Sequence, residues 1–168
     1  LEIDSVGNLH LSYMTWDAGP SNDILYVKYA MYNGTDWNIT QVREILLDGG
    51  LNTWVGKLET SLDLDSNGHP HMTYYDSKNN TLGYAYYDGT TWIDTTVTAN
   101  DGNYRGLHGS IGLDSNDYPR IAYYNSTGQD LELAVWNGAS WSVEKVADPS
   151  SGTAGRSCSL EIGSDDLT

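Results

Sequence analysis

The segment from Asp65 to Trp92, DSNGHPHMTYYDSKNNTLGYAYYDGTTW, decides the fold, because it recurs from Asp114 to Trp141 as DSNDYPRIAYYNSTGQDLELAVWNGASW. A looser copy, DSVGNLHLSYMTWDAGPSNDILYVKYAMYNGTDW, runs from Asp4 to Trp37. The step from Asp65 to Asp114 is 49 residues, as is the step from Trp92 to Trp141, while Asp4 to Asp65 is 61. The surplus divides between DAGPSND and LLDGGLNTWVG. Insertions that respect repeat boundaries belong in loops, so each repeat is one supersecondary unit.

Each unit reads as four short strands. In the second copy these are SLDLD from Ser61, PHMTYYD from Pro70, LGYAYYD from Leu82 and WIDTTVT from Trp92. All are rich in Tyr, Trp, Thr, Val or Ile, and Pro is tolerated at a strand's first residue. Asp65-Ser-Asn-Gly68 and Asp88-Gly89 are turn signals, and SKNNT forms the middle loop. No stretch carries a sustained apolar period of 3.6 residues, so no helix is expected. The expected class is all-β, with β-propeller blades of four antiparallel strands at about 1–46, 58–98 and 107–147 and the opening strand of a further blade at 158–168. The small Ala30, Ala85 and Ala134 recur in the third strand, where a neighbouring sheet must approach closely.

The repeated pattern S-(L/I)-x-(L/I)-D-S-x-x-x-P-x-x-x-Y-Y-(D/N), followed by A-x-(Y/W)-(D/N)-G-x-x-W, resembles the tandem repeats of secreted bacterial and archaeal β-propellers. It is similar to those of the recently amplified type and to sialidase-like (Asp-box) and lectin propellers. The resemblance implies a fold rather than an activity. Tyr87-Asp88-Gly89-Thr90-Thr91-Trp92 stands where an Asp-box would. It lacks that motif's Asp two residues before the Gly, so it reads as a hairpin turn pinned by Trp92.

Propellers use about four to eight blades, so three do not close a ring. Missing blades or a second copy of the chain must complete it. Two copies would make six blades, but Ser159-Leu-Glu-Ile162 duplicates the place of Leu1-Glu-Ile3, and this redundancy favours a segment of a longer array.

Composition narrows the partners. Across 168 residues, 8 Lys and Arg face 23 Asp and Glu, a formal charge of -15. That charge opposes binding to nucleic acid and to anionic lipid, and no apolar run is long enough to insert in a membrane. Phe is absent while there are 13 Tyr and 6 Trp, so the aromatic rings carry polar tips suited to half-wet sheets and sugar stacking. The single Cys158 forms no disulfide within the chain and aligns with Thr60 and Gly109 as a small strand residue.

The chemistry-bearing candidates are few. Asp63, Asp65 and Asn67 alternate before Gly68 as oxygen ligands do in calcium loops, so calcium is the one candidate cofactor. The third copy replaces Asp63 by Gly112, and a strand ending in a capped turn explains the same residues. His10, His71 and Arg120 occupy one repeated position, which points to structural pairing with an Asp of the adjacent strand. His69 decorates a turn, and His108 precedes an innermost strand without a zinc partner. No nucleophile elbow or phosphate-cradling loop is present.

The linkers LLDGGLNTWVGK, TANDGNYRGLH and ADPSSGTAGRS differ between copies and carry Trp54, Tyr104, Arg105 and Arg156. An aromatic plane beside a guanidinium suits a glycan or an extended surface-protein segment. The expected function is an extracellular or cell-surface recognition module of non-enzymatic type, with carbohydrate as first ligand and a surface protein second. A structural subunit of a surface assembly and a propeller-type glycan hydrolase are the alternatives.

Overall fold

The structure is a computed structural model that describes residues 1–18, 22–48, 59–163 and 166. Among these there is no helix, and hence none long and apolar enough to cross a membrane. The described residues form twelve strands in three sheets. The first contains β1 (Glu2–Ile3), β2 (Leu9–Ala18), β3 (Asn22–Tyr32) and β4 (Trp37–Asp48). The second contains β5 (Thr60–Leu64), β6 (Pro70–Asp76), β7 (Thr81–Tyr87) and β8 (Trp92–Thr96). The third contains β9 (Arg105–Leu113), β10 (Pro119–Asn125), β11 (Asp130–Trp136) and β12 (Trp141–Ala147). Each sheet pairs its strands antiparallel in sequence order, so the chain is three propeller blades that do not close within it.

Two kinds of turn carry the repeat. The Asp65 Oδ1 atom accepts from the backbone N–H of Asn67 (2.9 Å) and His69 (2.6 Å), and Gly68 takes the left-handed conformation. Asp4 and Asp114 cap the equivalent turns. Asp4 is partly desolvated, which pushes its pKa up, but donors on Asn8, His10 and Val6 outweigh this and hold it down at about 2. Between third and fourth strands, the carbonyl-type Oδ1 of Asn33, Asp88 or Asn137 accepts from the two backbone N–H groups that follow the Gly. These are simple Asx-Gly hairpins.

The insertion in the first unit behaves differently from the expected loop. The β2–β3 ladder runs on to Ala18↔Asp23 and the β3–β4 ladder to Asn22↔Asp48, so the described part of the surplus lengthens strands. The sequence there remains rich in Tyr, Trp, Ile and Leu, which lets pairing propagate. Likewise Arg105 to His108, read as linker, belong to β9, and β10 meets them through a bulged register. Residues 159–162 hold the place of a fourth inner strand, but the described residues give them no ladder partner.

The core lies in the junctions between blades. Leu25, Val27, Tyr29, Ile45 and Leu47 of the first blade meet Leu62, Met72, Tyr74 and Ala85 of the second. Leu82 and Tyr84 of the second meet Ile111, Ile121, Tyr123 and Ala134 of the third. Both faces of β6 are covered, and every residue of that strand is buried. At Gly106 an added Cβ would fall 2.6 Å from the Leu82 Cα, so only glycine permits this approach of blade to blade. Gly155 repeats the device against Leu131.

Candidate ligand-binding site

Side chains alternate along each strand, so β7 sends Tyr84 and Tyr86 toward the third blade while Ala85 turns back to the first. At the turn end of this junction the two sheets diverge and leave a pocket of about 370 Å³. The second blade contributes His71, Tyr84, Tyr86, Ile93, Thr95 and Thr96. The third contributes Asp117, Tyr118, Pro119, Trp136 and Trp141. Thr95, Thr96 and Tyr118 are exposed, so the pocket reaches solvent.

The aromatic wall is built as a chain of contacts. Tyr84 and Tyr86 stack at 5.6 Å, His71 stacks on Tyr86 at 5.4 Å, and Tyr84 meets Trp141 edge-on at 5.4 Å. Trp136 tilts against Trp141 at 5.4 Å and completes the opposite wall. Burial, then the neighbouring Tyr86 and Asp65, push the Tyr84 phenol well above its usual pKa and keep it protonated. Burial pulls the His71 pKa below its usual value, against the opposing pull of Asp65, Asp117 and Asp63. Tyr84 Oη and His71 Nδ1 thus share a 2.6 Å hydrogen bond between a protonated phenol and a neutral imidazole.

Asp117 lines the pocket and also fastens the blades together. Its carboxylate accepts from Ser66 N (2.9 Å) and Ser66 Oγ (2.6 Å) across the junction. None of the residues lining the pocket is Lys or Arg. Flat apolar rings, hydroxyls and a neutral imidazole without a cation suit a neutral polyol with one apolar face.

The same scaffold recurs one junction earlier in altered form. Tyr29 meets His10 Nδ1 at 2.6 Å and packs on Trp92 at 5.3 Å, as Tyr84 does with His71 and Trp141. His10 Nε2 lies 3.3 Å from Asp4, and Arg120 lies 3.6 Å from Asp114, so in the first and third copies the repeated basic residue pairs with the turn aspartate. Met31, His69 and Gly68 stand there in place of Tyr86, Tyr118 and Asp117.

The residues singled out by sequence lie elsewhere. Tyr104 and Arg105 sit at the far end of β10 from Pro119. Tyr104 N donates to Thr127 Oγ1 (2.9 Å), and its carbonyl accepts from Ser126 N (2.9 Å). Arg105 is held by Asp101 (3.1 Å) and by buried Glu132 (3.5 Å). Arg156 is exposed and lies over the Tyr124 ring at 5.5 Å, where Leu107 covers Tyr75 in the preceding blade. Trp54 lies outside the described residues.

In the calcium candidate, Asp63 Oδ1 accepts from Leu64 N and Oδ2 from Leu113 N, both at 2.8 Å, which ties β5 to β9. Asp65 Oδ2 lies 3.2 Å from His69 Nδ1, and Asn67 offers its backbone N–H to Asp65. Among the described residues no three His, Cys, Asp or Glu side chains are grouped to hold a metal.

Local reading missed the pocket because its two walls are about one repeat apart in sequence. The available signal was correlated: His appears with Tyr at 10/29 and 71/84, whereas Arg120 appears with Leu133.

No protein-family model matches the chain, and no curated protein matches it. Among solved structures it is similar to a fucose lectin from Kordia zhangzhouensis in complex with methyl-fucoside, at 18% identity and a TM-score of 0.48, over 85% of this chain and 94% of that one. It is also similar to a mutant of the Aleuria aurantia lectin in complex with Fucα1-6GlcNAc, at 16% identity and a TM-score of 0.47. That match covers 93% of this chain and 50% of the other.

Proposed function

We propose that this chain is a non-enzymatic recognition module that acts outside the cell or at its surface and binds neutral carbohydrate between its second and third blades. The observation that carries this reading is a pocket with His71, Tyr86, Thr95 and Thr96 of the second blade on one wall and Trp136 and Trp141 of the third on the other. A pyranose lays its C–H face on the rings, and its hydroxyls meet the imidazole N–H and the threonine hydroxyls. The acidic surface and the absence of a lining cation disfavour sialylated and uronate glycans.

The test is a glycan array followed by calorimetry on the best neutral ligand. Tyr86→Ala and Trp136→Ala should each weaken binding by tenfold or more, about 1.4 kcal/mol, with an unchanged β-sheet spectrum. Tyr104→Ala and Arg156→Ala should leave affinity as it is. Loss of binding on those linker variants alone would move the site to the opposite end of the blades. Turnover of a chromogenic glycoside would move the protein into the hydrolase class.

A further inference from the structure

The basic residue that recurs at the start of each second strand is held differently in the second blade. His10 Nε2 lies 3.3 Å from Asp4, and Arg120 lies 3.6 Å from Asp114. In the second copy His69 stands where the others have Asn8 and Tyr118, and its Nδ1 lies 3.2 Å from the Asp65 carboxylate. His71 is left bonded to Tyr84 at 2.6 Å and stacked on Tyr86, with the two ring planes 27° apart. Among the described residues it has no carboxylate partner. The member of the series without an ion pair is therefore the one that lines the pocket.

A proton on His71 would change every contact it makes. A neutral imidazole has one acceptor nitrogen, and protonation removes it whichever nitrogen that is. What is lost is either the acceptor for the Tyr84 phenol, which burial keeps protonated, or the acceptor left to the pocket. Three carboxylates would draw the new charge: Asp63, opposite His71 in the β5–β6 ladder, Asp65 in the turn, and Asp117 of the third blade. His69 would repel it, and Tyr84 and Tyr86 are the titratable groups on β7. Asp117 holds Ser66 across the junction at 2.9 and 2.6 Å, so a charged His71 pulls on the clasp between the pocket walls.

We propose that the pocket is gated by pH at His71, holding a neutral glycan while the imidazole is uncharged and releasing it in mild acid. The gate rests on the glycan reading of that pocket. A neutral glycan carries no group that titrates in this range, so the coupling to pH belongs to the protein. Burial holds His71 below its ordinary value of 6.5 against the pull of Asp65, Asp117 and Asp63, so the ring is neutral before acidification. A ligand that selects the neutral ring excludes the proton, and by linkage its affinity falls about tenfold per pH unit once His71 is charged.

Calorimetry with the best neutral glycan, from about pH 7.5 to about pH 5 and wherever the β-sheet spectrum is unchanged, tests the gate. Wild-type affinity should be level at first and then fall, approaching about tenfold per pH unit. His71→Gln should bind with an affinity that does not vary with pH, whatever its level. His69→Asn copies the first blade and lets Asp65 serve His71 as Asp4 serves His10, so its fall should begin at higher pH. Imidazole NMR on the wild-type chain should show the His71 midpoint moving down when glycan is added, which decides the matter if His71→Gln does not fold. A persistent fall in His71→Gln, an unmoved fall in His69→Asn, an affinity that rises in acid, or a midpoint indifferent to glycan would each overturn the gate. Wild-type affinity that is level throughout would overturn the gate and leave the glycan reading standing, whereas no neutral glycan bound at either end of the range would remove both.

Discussion

Tyr74 and Tyr123 hold the same repeat position and solve the problem of a buried phenol in two ways. Gly83 faces Tyr74, whose hydroxyl donates to Asp94 of β8; Glu132 faces Tyr123 and accepts its hydroxyl at 2.5 Å. The paired changes Gly83/Asp94 and Glu132/Val143 keep each phenol satisfied, as burial demands. An added Cβ at Gly83 would lie 2.4 Å from the Tyr74 ring. Gly83→Ala should therefore destabilise by about 1–3 kcal/mol, read as a lower urea midpoint at unchanged slope. An unchanged midpoint would mean that the ring has room to move. His71 offers a second test. Its folded pKa lies below the ordinary 6.5 because burial disfavours the imidazolium. Below pH 6.5 the unfolded chain takes up a proton that the folded one refuses, so stability present above that pH is lost as pH falls through the lower folded value. His71→Gln should flatten the slope of stability just below about pH 6.5; an identical slope would place the titration elsewhere.

At the scale of the element, the turn between first and second strands does more than reverse the chain. Its left-handed position is Gly7, Gly68, Asp117 and Asp166 in successive units, with φ of 94°, 79°, 61° and 61°. Aspartate is strained there by about 1 kcal/mol, and the strain is offset by two charge-assisted bonds to the serine of the preceding blade. Asp117→Ala keeps the strain and loses the clasp, so it should destabilise by about 1–2 kcal/mol. Asp117→Gly loses both together and should cost less. Equal losses for the two variants would show that the clasp contributes and the backbone conformation does not. Gly68→Asp should add the missing clasp to Ser5 and leave stability within about 0.5 kcal/mol of wild type. The individual turns were legible from Asp-Ser-Asn-Gly. The clasp was not, because Ser66 and Asp117 belong to different copies, and each looks like ordinary turn chemistry in its own.

For the molecule as a whole, the 49-residue period carried the architecture, since only a unit that stacks on itself repeats its core residues so closely. The binding pocket was hidden by the same regularity. His71 read as a structural partner of an aspartate, and Trp141, like Trp92, as the residue that pins a hairpin turn. They do pack, but the cavity opens where Tyr86, Asp117, Tyr118 and Trp136 differ from Met31, Gly68, His69 and Tyr87. The linkers with Tyr104 and Arg105 drew attention by varying, and that arginine is tied to Asp101 and Glu132. Net charge, by contrast, was plain from the start, and it has a consequence for stability. The chain carries -15, so folding gathers like charges. Raising salt from 10 mM to 150 mM shortens the screening length from about 30 to about 8 Å, which weakens this long-range repulsion more than close pairs such as Lys145–Asp130 at 2.9 Å. The melting temperature should rise with salt by about 2–4 °C for each kcal/mol of repulsion relieved. A melting temperature that falls over the same range would show that close ion pairs, and not the net charge, dominate the electrostatics of the fold.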